Sequence, residues 1–128
     1  MSNFDTSSLL FSESHEWIAI SENVAKIGIT DHAQEELGDI VFVELIDVGT
    51  EVAAGDSFGS IESVKAVSEL IAPFSGTIKS INQPVIDAPE TINTDPYTAG
   101  WMVEIEFSSS DDLKSLMDEK TYNSFIES

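Results

Sequence analysis

The chain has no cysteine and no arginine, and apart from two histidines its only cations are five lysines. The missing thiols remove disulfides, thiolate metal sites and a cysteine nucleophile, so any sulfur chemistry must come from a bound group. The scarcity of positive charge stands against 24 acidic residues and a net charge of −19. Phosphate backbones and anionic lipid surfaces are bound through clustered Lys and Arg, so the composition argues against nucleic acid and membrane partners. It favours partners with basic surfaces. Long apolar runs are absent too: "DIVFVELIDV" is interrupted by Glu44 and is too short to cross a bilayer. The N-terminal stretch "MSNFDTSSLLFSESHEW" lacks the basic and apolar regions of a secretory signal, and without arginine it does not read as an intact organellar presequence. A cytoplasmic protein is the simplest inference, with a processed organellar form as the alternative.

What is present suits one globular domain over residues 1–128, since 41% hydrophobic content is enough for a modest core. Residues 14–29 read as two strands around a polar turn at Ser21-Glu22-Asn23, with Trp17, Ile18, Ile20, Val24, Ile27 and Ile29 in partial alternation. "TDHAQEELG" reads as a short helix capped by Thr30 or Asp31 and ended by Gly38. "DIVFVELI" is a strand by its β-branched and aromatic content. Glycines at 49, 55, 59 and 76 punctuate short segments, as in small sandwiches and barrels. "APFSGTIKSIN" gives a turn and an alternating strand, and "WMVEIEF" puts Trp101, Val103, Ile105 and Phe107 on one face. The stretch "PVIDAPETINTDPYTAG" holds three of the four prolines and reads as an ordered loop. In the tail, Ser110 and the following aspartates form a helix start, with Leu113, Leu116, Met117, Tyr122, Phe125 and Ile126 at helical spacing.

The segment "GSIESVKAVSEL", residues 59–70, is ambiguous by local rules. Ile61, Val64, Val67 and Ile71 recur at helical intervals, whereas the glycines before and the Ala-Pro after favour a turn joining two strands. Lys65 stands there alone among small and apolar neighbours.

At this point several separated segments, in order, resemble the H-protein family of the glycine cleavage system. They are "SHEW" (14–17), "KIGITDHAQEELGDIVFVEL" (26–45), "VGTEV" (48–52), "FGSIESVKAVSEL" (58–70), "APFSG" (72–76), "IN" (92–93), and "DPY" with "GW" (95–101). The resemblance implies a mainly β barrel-sandwich hybrid of the lipoyl/biotinyl-like kind, with a short helix near 30–37 and a C-terminal helical segment. It implies that Lys65 sits at a hairpin tip and carries lipoic acid in amide linkage, and that Glu62 and Gly76 help lipoate-attaching enzymes recognise the hairpin. It further implies a cleft for the loaded arm, with Ser14, Glu16 and Glu69 as its polar contacts. The family more often has Asp at the last position, and the extra methylene of Glu69 alters that contact. Ile46, where proline is usual, and Thr98, where glycine is common, read as loop variation.

The implied role is that of a non-catalytic carrier, a substrate of partner enzymes. Glycine decarboxylase, a pyridoxal phosphate enzyme, loads an aminomethyl group; a tetrahydrofolate-dependent aminomethyltransferase unloads it; dihydrolipoamide dehydrogenase reoxidises the arm. Three other readings compete. A lipoate relay to other acceptor domains needs the same hairpin. A biotin carrier usually flanks its lysine with Met, whereas Val64 and Ala66 stand here. An acidic interaction module would leave Lys65 bare. His15 and His32, with Asp31, Glu35 and Glu36, lack a metal-ligand spacing, so no metal is expected. His32 is expected to cap or pack within its short helix.

Overall fold

Strand β1 (Leu10–Phe11), β2 (Glu16–Ser21) and β3 (Val24–Ile29) form an antiparallel meander in the computed structural model, which describes residues 9–107, 113 and 116–127. Ser21 faces Val24 across the expected turn, where Glu22 takes a left-handed φ of 56°. The alternation in β2 is only partial because both its faces are covered. Ile18 enters the main core with Ile27, Phe58, Phe74, Ile78 and Ile105, while Trp17 enters a second cluster with Leu9, Phe11 and Tyr122.

The short helix α1 (Asp31–Leu37) forms as its sequence predicts: the Thr30 hydroxyl accepts from the Ala33 amide, and Gly38, at φ 82°, ends it. Next come β4 (Ile40–Leu45), β5 (Glu51–Val52), β6 (Ser57–Ser63), β7 (Val67–Ile71), β8 (Gly76–Ile81) and, after two helices, β9 (Val103–Glu106). They make a six-stranded sheet ordered β1-β2-β3-β9-β8-β5 and a three-stranded sheet ordered β4-β6-β7, all pairings antiparallel. The inner faces of the two sheets share the main core, and the fold is the mainly β barrel-sandwich expected from the sequence. The β6–β7 pairing also settles the ambiguous segment 59–70 as a hairpin.

Two expectations change. The proline-rich stretch is not simply a loop: it contains α2 (Gln83–Asp87) and α3 (Thr91–Thr94). Pro84 falls in the first turn of α2, where a missing N–H costs no intrahelical bond. Between these helices and the sheets, asparagines make the ties. Asn82 donates to the carbonyls of Ala99 (2.9 Å) and Trp101 (2.6 Å). Asn93 donates to Gln34 Oε1 (2.9 Å) and to the Gly38 carbonyl (3.0 Å), and accepts from the Ile40 amide (2.9 Å).

In the tail, the helix start expected at Ser110 lies outside the described residues. Met117 does not continue a helical stripe. It pairs with Phe11 through reciprocal backbone bonds of 2.7 and 2.8 Å, and α4 (Glu119–Glu127) begins after it. Asp118 Oδ1 accepts from the Thr121 amide (2.8 Å), which caps that helix start. Tyr122 then stacks on Phe11 with ring centroids 4.7 Å apart. Among the described residues no helix is long and apolar enough to cross a membrane.

Candidate functional site

The hairpin β6–β7 turns through Val64 and Lys65, neither of which uses positive φ. Without the left-handed residues that ordinarily tighten such a turn, side-chain bonds hold it. The Ser63 hydroxyl accepts from the amides of Lys65 (3.2 Å) and Ala66 (3.1 Å) and lies 3.2 Å from the Ala66 carbonyl, while the Ser63 amide donates to that same carbonyl (2.8 Å). From below, the Val64 amide donates to the Asp39 carbonyl (3.1 Å), and Asp39 follows the Gly38 segment fixed by Asn93. The tip is therefore anchored to both the helix end and the sheet.

Lys65 projects from this anchored tip and is exposed. The single ion-pair geometry among the described residues is His32–Glu36 at 3.7 Å, so no described carboxylate pairs with Lys65. Its chain passes over Gly38: a Cβ placed on Gly38 would come within 3.3 Å of Lys65 Cε. Glycine there serves both the left-handed helix end and the close approach of the lysine.

Beside the hairpin lies a cleft of about 210 Å³ whose lining includes Ser14, His15, Glu16, Ile61, Ser68 and Glu69. The three polar residues picked from the sequence thus share one cleft, and the one on β7, Glu69, follows Lys65 by four residues. Glu62 is exposed on β6. Gly76 belongs to neither hairpin nor cleft. It begins β8, opposite Val52, and a Cβ there would strike the Glu106 carbonyl and come within 2.6 Å of Ile105 Cγ2. Close strand packing is reason enough for glycine at that position.

Glu16 differs in kind from the other two. It is 1% exposed, and both its carboxylate oxygens are occupied. Oε1 accepts from Ser12 and Ser14, and Oε2 from the Ile71 amide (3.2 Å), which ties β2 to the far end of β7. Burial pushes its carboxyl above the ordinary range, with those same hydrogen bonds opposing the shift. Glu69 is exposed at the rim, where Ser57 Oγ donates to its Oε2 (3.3 Å).

His15, which the sequence reading weighed only as a metal ligand, lines the cleft. Its backbone is left-handed, at φ 69°, and its Nδ1 lies 2.9 Å from the Tyr122 hydroxyl, which in turn lies 2.8 Å from Thr30 Oγ1. The C-terminal helix is thereby wired to the cleft wall and to the cap of α1. Burial, then the nearby His32 ring, lowers the His15 pKa against the opposing pull of Glu36. His32 leaves the cap to Thr30 and packs its ring 5.1 Å from that of His15. No group of described side chains could hold a metal ion.

The fold and this hairpin define a barrel-sandwich that offers an exposed lysine at a fixed tip. The family model for glycine cleavage H-protein matches residues 9–128. Glycine cleavage system H proteins of Anaeromyxobacter sp. (strain K) and Carboxydothermus hydrogenoformans are 53% and 50% identical over 119 residues, which is 93% of this chain and 93% and 92% of theirs. The crystal structure of a glycine cleavage system H protein from Mycobacterium marinum superposes with a TM-score of 0.87 at 39% identity, covering 95% of this chain and 98% of that one. The chain belongs to the glycine cleavage H-protein family.

Proposed function

We propose that Lys65 carries lipoic acid in amide linkage and that the chain acts as a non-catalytic lipoyl carrier of glycine cleavage. It takes the aminomethyl group of glycine from glycine decarboxylase to the aminomethyltransferase and is then reoxidised by dihydrolipoamide dehydrogenase, as a single carrier domain in the cytoplasm. When bound, the lipoyl group supplies the thiol and redox chemistry that a chain without cysteine lacks.

The observation that carries this reading is Lys65 itself: exposed, unpaired among the described residues, and set on a turn that Ser63 and Asp39 hold still. Acylation removes the ammonium charge, so the missing carboxylate partner costs the modified side chain nothing. Glu69 follows Lys65 by four residues, a span of at most about 13 Å at ~3.3 Å per residue, which a lysine extended by an acyl chain can fold back across. At the cleft rim Glu69 offers an accessible carboxylate to a cationic cargo. Ser14 provides a neighbouring hydroxyl, and the buried Glu16 adds negative potential from behind it while holding Ser14 in place. Glu62, three residues before Lys65, marks the hairpin for the enzymes that attach lipoate, and Gly76 contributes to that recognition through the close packing of β8 on β9.

The test is glycine–bicarbonate exchange with a glycine decarboxylase and the purified lipoylated protein. Exchange is the expected result. Absence of exchange from fully lipoylated protein would favour relay of lipoate to other acceptor domains.

A further inference from the structure

Phe42 is on the wrong side of its strand. Ile40 is buried, so strict alternation along β4 would bury Phe42 as well, yet it is 51% exposed. The cause is a bulge. Ile40 pairs with Ser63 and Phe42 with Glu62, so β4 advances two residues where β6 advances one, and Val41 is the extra residue. Both Val41 and Phe42 consequently face solvent before Val43 returns to the core. Bulges re-aim side chains in this way beside functional sites.

The face that receives Phe42 is the outer face of the three-stranded sheet, next to Lys65. Register places Phe42, Glu62 and Val67 in one cross-strand row, with Val67 70% exposed. The adjacent row is Glu44, Ser60 and Glu69, bordering a groove of about 530 Å³ that also takes in Asp47. Of the seven exposed large hydrophobic residues among those described, four (Val41, Phe42, Val64 and Val67) lie on this hairpin or the strand paired to it. The other described lysines, 26, 79 and 120, lie on β3, β8 and α4, so Lys65 is the one described lysine on this hairpin or the strand paired to it.

We propose that this face, with Phe42 and Val67 as apolar anchors on either side of Glu62, is the docking surface for the enzyme that acylates Lys65, and that the enzyme meets it with an apolar recess rimmed by cations. The inference rests on the lipoyl reading of Lys65 and names the surface that reading requires. Charge decides against a second copy of the chain, because two molecules of net charge −19 would bring acidic rows together. Distance decides between enzymes. A partner that works on the far end of an acyl arm can stand away from the tip, whereas one that forms the amide must reach the lysine nitrogen. In that step the Lys65 amine attacks an acyl adenylate: the N–C amide bond forms, the C–O bond to AMP breaks, AMP leaves, and the original ammonium gives up two protons.

The experiment follows unlipoylated protein by intact mass in the presence of a lipoate–protein ligase, ATP and lipoate. It compares the parent with Phe42→Ser, Val67→Ser and the double variant, and with Ile20→Ser as a control at an exposed apolar residue (38%) on β2 of the other sheet. Thermal unfolding of each checks the fold, which substitutions at exposed positions should leave intact. The expected result is a rise of about tenfold in KM for each single anchor variant, a larger rise for the double, little change in kcat, and native kinetics for Ile20→Ser. Acylation of the folded double variant at the parental rate would overturn the docking face while leaving the lipoyl reading standing. Failure of the parent to be acylated by a competent ligase would overturn both. Loss of self-association in Phe42→Ser with unchanged acylation would assign the face to a second copy and sink the proposal.

Discussion

Glu16 shows how one buried side chain can constrain a site without being its most accessible part. Its carboxylate joins Ser12, Ser14 and the Ile71 amide, so it fixes where β2 lies against β7. Burial raises its folded-state pKa above the unfolded value. Through the window from the ordinary carboxylate value up to that raised value, the native state holds more protons than the unfolded state, and stability falls as pH rises. The unfolding free energy of the parent relative to Glu16→Gln should therefore drop across that window and level off above it, as urea titrations over a pH series would measure. A difference that is flat or rises with pH would contradict the assignment. The sequence marked Glu16 as a cleft residue, and the cleft does include it. What it could not convey is that both oxygens are already taken, because Ser12 lies outside the "SHEW" segment and Ile71 is 55 residues away.

At the scale of elements, short helices and a locked turn position the site. Thr30, Gly38 and the acid-rich run between them made α1 legible, since local capping chemistry decides both its ends. The hairpin was less legible, because Ser63 replaces the usual left-handed turn residues and leaves no dipeptide signal. The bulge at Val41 was invisible: it arises from register against β6, which no local pattern records. Helix α4 connects to the cleft through the Tyr122 hydroxyl, shared between His15 and Thr30. Tyr122→Phe keeps the stacking on Phe11 and removes both polar links, so it should cost about 1–2 kcal/mol in unfolding free energy. Hydrogen exchange should show faster opening of residues 119–127. Unchanged stability and exchange would mean that α4 is held by apolar packing alone.

The whole molecule carries a strong net negative charge. At −19 over 128 residues, self-repulsion opposes the folded state while keeping copies of the carrier apart. Screening shortens the reach of that repulsion, from a Debye length of about 30 Å at 0.01 M ionic strength to about 8 Å at 0.15 M. Melting temperature should accordingly rise with sodium chloride over that range, and a fall would mean that attractive pairs dominate. The mainly β architecture could be anticipated from the spacing of strands and glycines, but the covering of both faces of β2 could not, because the second cluster gathers residues from opposite ends of the chain. On the proposed reading, all of this serves the presentation of one amine. The decisive measurement is the mass of the protein isolated from a lipoate-replete host with a competent ligase, followed by peptide mapping of 59–70. One lipoyl increment localised to Lys65, and absent from Lys65→Arg, is the predicted result. A bare Lys65 under those conditions, or an increment that persists in Lys65→Arg, would contradict it.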